Sequence, residues 1–268
     1  MRSKIIFSIL IAVLIFAITC MAKVEKDPEK AALALHALDS LDIPKPVFTD
    51  AFAPGEELKF SVDYGFVNAG WATMSVVSIV EYKGRPAYQF ETRAGTNKTF
   101  SLFFKVNDSV ISLMDTEYFR SLRHEKHLSE GSYSAQQWFT FDQENNHAKS
   151  KNYDIETYPN VLDILSAFYF ARLIEFEPGD TFYLPNHTDG KNYPLRIAVI
   201  RRERIEVPAG EFDCIVVEPI LKAPGIFEHK GNIFVWITDD EKRMPVLMRT
   251  KIIIGSISAR LQEYHLPD

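Results

Sequence analysis

The chain has 268 residues, with 30 Lys and Arg against 36 Asp and Glu, for a net charge of −6. That balance lacks the basic footprint nucleic-acid binding requires, so no nucleic-acid partner is expected. There are two cysteines, Cys20 and Cys214, and only Cys214 falls in the expected folded region. A core, not an internal disulfide, must therefore supply the stability.

Arg2 and Lys4 precede an almost wholly apolar run at 5–18, and the small Ala22 stands before Lys23. A charged start, a short apolar stretch and a small exit residue read as a signal peptide over 1–22. The run falls short of the roughly 20 residues a spanning helix needs. An uncleaved anchor is the alternative. Cleavage after Ala22 competes with a degenerate lipoprotein box, Ala17–Ile18–Thr19, that would lipidate and retain Cys20. Export predicts a periplasmic location, with the membrane touched only through the signal or a lipid anchor.

Residues 23–48 form a leader. Leu33, Ala34, Ala37, Leu38 and Leu41 share one helical face until Pro44 and Pro46 stop the pattern. It reads as a spacer, or as a short amphipathic helix that docks on the body.

From Phe52 the period changes to two, and 49–268 is expected to form a single β-rich domain. Leu58, Phe60, Val62 and Tyr64 alternate with polar residues, as in a half-buried strand. Runs at 71–82, 87–94, 106–114, 121–128 and 132–141 continue the series, followed by a short strand ending near Tyr153. Residues 161–173 then read as a helix, apolar nearly all round, with Asn160 as its N-cap and Asp163 suited to the positive helix start. Strands resume at 180–184, 193–207, 211–221, 232–238 and 245–263. Several are apolar on both faces, which predicts a curved sheet wrapped around the helix.

Catalytic constellations are scarce. There is no Gly-rich phosphate loop, no Gly-x-Ser-x-Gly elbow and no Cys-x-x-Cys. His124 and His127 lie three apart in a strand-like run, which sends them to opposite faces and reads as solvated polar residues, not a metal pair. Asp239–Asp240–Glu241 is the best candidate for carboxylate chemistry, although its place between a strand and Lys242–Arg243 suits a tight turn. Cys214, in an apolar run, reads as a buried cysteine and not a nucleophile. With 20 Phe, 11 Tyr and 3 Trp, the aromatics either fill a core or line a pocket for an acyl chain. The pocket reading places Phe104, Leu165, Phe168, Tyr169 and Trp236 on its wall.

Val207–Pro208–Ala209–Gly210–Glu211–Phe212–Asp213–Cys214, then Phe234–Val235–Trp236–Ile237–Thr238–Asp239–Asp240, Arg243–Met244–Pro245–Val246 and Ile254–Gly255–Ser256 resemble domain-of-unknown-function family 3108 of the bacterial envelope. Phe52–Ala53–Pro54–Gly55–Glu56 and the strand at Gly70 also fit, so the likeness covers about 49–265. It implies a periplasmic location and brings no catalytic residues. Its motif positions here are Pro208, Gly210, Trp236, Asp239, Asp240, Pro245 and Gly255. A more distant likeness to the lipoprotein carriers LolA and LolB implies a spiral or half-barrel antiparallel sheet around a greasy helix, and fold alone does not fix function. The resulting expectation is a non-enzymatic periplasmic protein, without cofactor or metal, that binds a lipid, lipoprotein or other apolar guest. Its rivals are a structural or assembly protein with a filled core and a hydrolase using Asp239, Asp240 or Glu241.

Overall fold

The computed structural model describes residues 43–151, 153–221, 233–251 and 255–267. The signal peptide, Cys20, most of the leader, the Ala223–Pro224–Gly225 turn and the Ile252–Ile253–Ile254 run lie outside the described residues.

Alternating sequence becomes one antiparallel sheet of 14 strands. They are β1 (Glu57–Tyr64), β2 (Val67–Tyr82), β3 (Arg85–Thr96), β4 (Asn107–Asp115), β5 (Ser121–Glu130), β6 (Tyr133–Asp142) and β7 (His147–Ser150). Then come β8 (Tyr153–Glu156), β9 (Thr181–Thr188), β10 (Lys191–Val207), β11 (Gly210–Leu221), β12 (Ile233–Thr238), β13 (Pro245–Lys251) and β14 (Ser256–His265). Each pairs with its neighbours in sequence, except that β8 and β9 do not pair with each other and form the edges, while β1 pairs with β14. Leu58, Phe60 and Val62 of β1 turn inward and are buried, while Lys59 and Ser61 face out. So long a sheet, apolar on one face, cannot stay flat, and its twist rolls that face around a core.

The sheet does not close by strand pairing. The seam is bridged by the chain between β8 and β9, where the Leu162 amide donates to the Pro185 carbonyl (2.8 Å) and the His187 amide donates to the Leu162 carbonyl (2.8 Å). Asn192 Nδ2 also donates to the Glu156 carbonyl at 2.6 Å.

Strand direction defines two rims. At the upper rim, β1, β3 and β5 end and β2, β4 and β6 begin; at the lower rim the order is reversed. Two helices complete the described fold: α1 (Lys98–Ser101) in the β3–β4 connection and α2 (Ile164–Arg172) between β8 and β9.

Four expectations need correction. Asp163, not Asn160, caps α2, because its carboxylate accepts from the Leu165 and Ser166 amides while Asn160 sits in the left-handed region at φ 53°. Val161 and Leu162 consequently stay outside the helix. The run at 245–263 is two strands, because Gly255, at φ 89°, turns the chain where a Cβ would lie 3.3 Å from the Tyr64 ring. Tyr153 begins β8 instead of ending a strand. The four-residue α1 carries too little periodicity to be legible.

Candidate functional site

The predicted pocket residues do not share one wall. Leu165 and Tyr169 of α2 are fully buried, with the Tyr169 ring stacked on Phe90 at 3.8 Å, and Phe168 is half-buried. Phe104 lies at the upper rim, where a Cβ on Gly131 would come within 2.7 Å of its ring. Trp236 is buried beneath Arg249, its indole donating to Glu203 Oε2 (3.2 Å). Within the described residues, α2 works as a plug packed into the core.

Both ends of α2 are fixed by buried charge. At its start, Asp163 accepts from Ser112 Oγ (2.7 Å), Ser121 Oγ (2.6 Å), Ser166 Oγ (2.7 Å) and two backbone amides, and lies 3.1 Å from His124 Nδ1. Burial pushes its pKa up, but His124 and the serine hydroxyls outweigh burial and hold the carboxyl well below its ordinary range. At its end, Arg172 donates twice to Glu56 (2.6 and 2.8 Å) and once each to the carbonyls of Ala51 and Lys242. The guanidinium also lies over the rings of Phe52 and Tyr169. Asp163 meets the lower part of β4 and β5, and Arg172 meets the start of β1 and the β12–β13 turn, so the plug spans the lower rim.

Ser112, His124 and Asp163 lie together, yet Ser112 Oγ and Asp163 Oδ1 address the same imidazole nitrogen and all three side chains are buried. That arrangement orders a core. The solvated reading of His124 therefore needs correction: it points inward and is buried, as is Lys126, which pairs with Asp189, while His127 remains outside on Gln136. The strand alternation was readable; the partners across the seam were not. His187 joins this interior, and burial takes its imidazole down to about 4.

The acidic run is a turn. Asp240 Oδ1 accepts from Thr238 Oγ1 (2.6 Å) and from the amides of Lys242 and Arg243, and Asp239 pairs with Arg202 (2.7 Å). Glu241 is exposed beside them. Pro208 and Gly210 (φ 135°) make the β10–β11 turn, and Pro245 opens β13. These motif positions therefore shape turns. Cys214 is buried as expected, and burial pushes its thiol up to about 12.

The upper rim carries what sequence reading missed. Phe66, at the tip of the β1–β2 hairpin, is fully exposed, and Val67 follows it half-exposed. In the β3–β4 connection, Leu102 is 83% and Phe103 77% exposed. Asn97 ties the two tips together: its Nδ2 donates to the Asn68 carbonyl (2.8 Å) and Oδ1 (3.1 Å), while its own Oδ1 accepts from the Phe100 amide and caps α1. The charges in these two connections are Lys98 and Lys105. Trp71 stands on the outer face nearby, opposite Gly95 and 41% exposed. Exposed apolar side chains gathered in one place normally mark a contact surface, and the Phe100, Phe103 and Phe104 cluster was the available signal. Elsewhere the outer face carries ion pairs such as Lys59–Glu263 and Arg204–Glu211, unlike the apolar band of a spanning barrel. Among the described residues no helix is long and apolar enough to cross a membrane.

The family model "Protein of unknown function (DUF3108)" matches residues 59–262. No curated protein matches the sequence significantly. Among solved structures, a β-barrel-like protein of domain-of-unknown-function family 1849 from Brucella abortus aligns with a TM-score of 0.51 at 7% identity, covering 85% of this chain and 100% of that one. A protein described as a lipoprotein from Parabacteroides distasonis aligns at TM-score 0.37 and 11% identity, covering 84% and 100%. A protein described as exported, with a YmcC-like fold, from Bacteroides fragilis aligns at 0.35 and 13%, covering 84% and 99%. The first likeness supports the rolled-sheet fold.

Proposed function

Since the chain belongs to the DUF3108 family, which brings no activity with it, we propose from its own geometry that it is a non-enzymatic envelope protein that works at a lipid surface. The upper rim is the lipid-facing element, and the partner is a bilayer or the acyl part of a lipoprotein. The observation that carries this reading is the pair of tied tips presenting Phe66, Val67, Leu102 and Phe103 to solvent. Folding gains nothing from leaving those side chains in water, whereas seating them among acyl chains contributes about 25 cal/mol per Å² of apolar area. Lys98 and Lys105, with no carboxylate in the same two connections, complement anionic headgroups. Trp71 lies where an interfacial aromatic is favoured. The apolar start at 5–18 is consistent with delivery to the periplasm. A guest held beside α2 finds less support, because the described helix surface is packed.

The test is flotation of the purified mature chain with vesicles of phosphatidylglycerol and phosphatidylethanolamine. Wild type should float with the vesicles and its tryptophan emission should shift to the blue. The variant F66S/L102S/F103S should stay in the dense fraction. Failure of wild type to float on either anionic or neutral vesicles sinks the proposal, and a protein partner retained by the same rim would then replace it.

A further inference from the structure

At the lower rim, beside the plug, the β2–β3, β4–β5 and β6–β7 turns border a half-open cavity of about 360 Å³. That is the size of a small-molecule site. Its apolar side is made by Tyr82, Leu122 and Phe141, the last two buried. Its charge is supplied by Lys83, Arg85, Arg120 and Lys149 against Asp142 and Glu144, an excess of cations in a chain whose net charge is −6.

The two carboxylates are already engaged. Glu144 accepts from Arg85 (3.1 Å), and Asp142 accepts from the amide and the side chain of Asn145 (3.1 and 2.9 Å). Lys83 and Arg120 have no carboxylate partner among the described residues. Each rests instead on a ring, Lys83 over Tyr82 and Arg120 over Tyr118, and Arg120 Nε is buried without an acceptor. Gln143, only 9% exposed, donates Nε2 to the Ser121 and Val161 carbonyls, which fixes its amide and leaves Oε1 buried without a donor. A buried guanidinium Nε without an acceptor, a second cation without a carboxylate partner and an apolar wall together describe a ligand that the turns are shaped to receive.

We propose that this cavity binds a small organic anion, a phosphate or carboxylate group carried on an apolar body, with Lys83 and Arg120 holding the charge against the Leu122 and Phe141 wall. The site stands apart from the upper rim and does not depend on lipid binding there. Arg120 supplies directional donors to oxyanion oxygens, and Lys83 supplies a mobile charge at the mouth.

Calorimetric titration of the mature chain with phenyl phosphate, and separately with inorganic phosphate, tests it. Phenyl phosphate should bind with one-site stoichiometry at least tenfold more tightly than inorganic phosphate. K83Q/R120Q should weaken phenyl phosphate by tenfold or more while leaving the melting temperature in place. Should the double variant fold poorly, K83Q alone should still weaken it several-fold. No saturable binding, equal affinity for both anions, or unchanged affinity in the folded variants would each overturn the proposal.

Discussion

The two rims handle side chains in opposite ways. At the two ends of α2, on the lower rim, charge is buried and answered: Asp163 has five hydrogen-bond donors and Arg172 has a bidentate carboxylate. At the upper rim, apolar side chains are exposed and, among the described residues, face no packed neighbour that explains them. Burying ions costs folding free energy unless geometry is tightly specified, and exposing phenylalanine forgoes it. The lower rim therefore spends its interactions on holding one structure, while the upper rim leaves apolar area unused within the fold. Substitutions should separate the two: changes at the Asp163 and Arg172 anchors should act on stability, and changes at the exposed tips on binding.

The largest effect is expected at Arg172. R172A strands Glu56 in the core, and breaking a buried pair costs about 3–5 kcal/mol. Urea melts should show that loss, and R172M/E56Q should recover part of it because neither partner is then left charged. A midpoint unmoved by R172A would mean that α2 is not the anchor of the lower rim. Next comes Asp163. D163A leaves serine hydroxyls and helix amides without their acceptor, at a cost of about 2–3 kcal/mol. The carboxyl's pKa is depressed on folding, so its contribution is present above about pH 4 and lost as pH falls below that. Acid titration of wild type against D163N checks the sign: the loss on acidification should be smaller in D163N.

Much of the lower rim was legible and little of the upper one. Val161 to Leu173 announced a buried helix because apolar residues cover nearly its whole circumference. Asp163 was visible as a helix-start residue but not as the cap, since only the fold brings Ser112 and Ser121, more than forty residues away, to its carboxylate. Glu56 and Arg172 are 116 positions apart and no local pattern joins them. His124 looked solvated because a strand's pattern gives alternation without saying which side is inside. The exposed tips escaped for a related reason: Phe66 and Phe103 look the same in sequence whether they fill a core or leave one.

Glu130 carries the next, smaller effect. It ends β5 at the upper rim, and burial, together with the nearby Asp108 charge, raises its carboxyl to about 7. A raised folded pKa means that the stability of the protonated form is full below about pH 4 and is lost as pH rises through 7. His187 works in the opposite sense: at about 4 in the fold, its contribution is full above pH 6.5 and fades as pH falls. E130Q should therefore remove the alkaline loss and leave the acid one. Between pH 5 and pH 8 the difference from wild type should be a melting shift of about 2–4 °C, which corresponds to roughly 1 kcal/mol in a chain of this size. Parallel melting curves for the two proteins would show that Glu130 is solvated.

The smallest stability effect is the one that discriminates best. F66S/L102S/F103S removes three large apolar side chains, and in a core each would cost about 3 kcal/mol or more. Here the sum should stay within about 0.5 kcal/mol, because those side chains are already in water in the folded state. The mild prediction holds only if Asn97 and Asn68 set the tips' conformation without help from the apolar groups. N97A supplies the complementary case, keeping the apolar groups while untying the tips. Vesicle binding should fall in both variants if the tips act together, and only in the serine variant if apolar area alone matters. A large loss of stability in the serine variant would instead mean that the upper rim packs against something in the fold and is not a free surface.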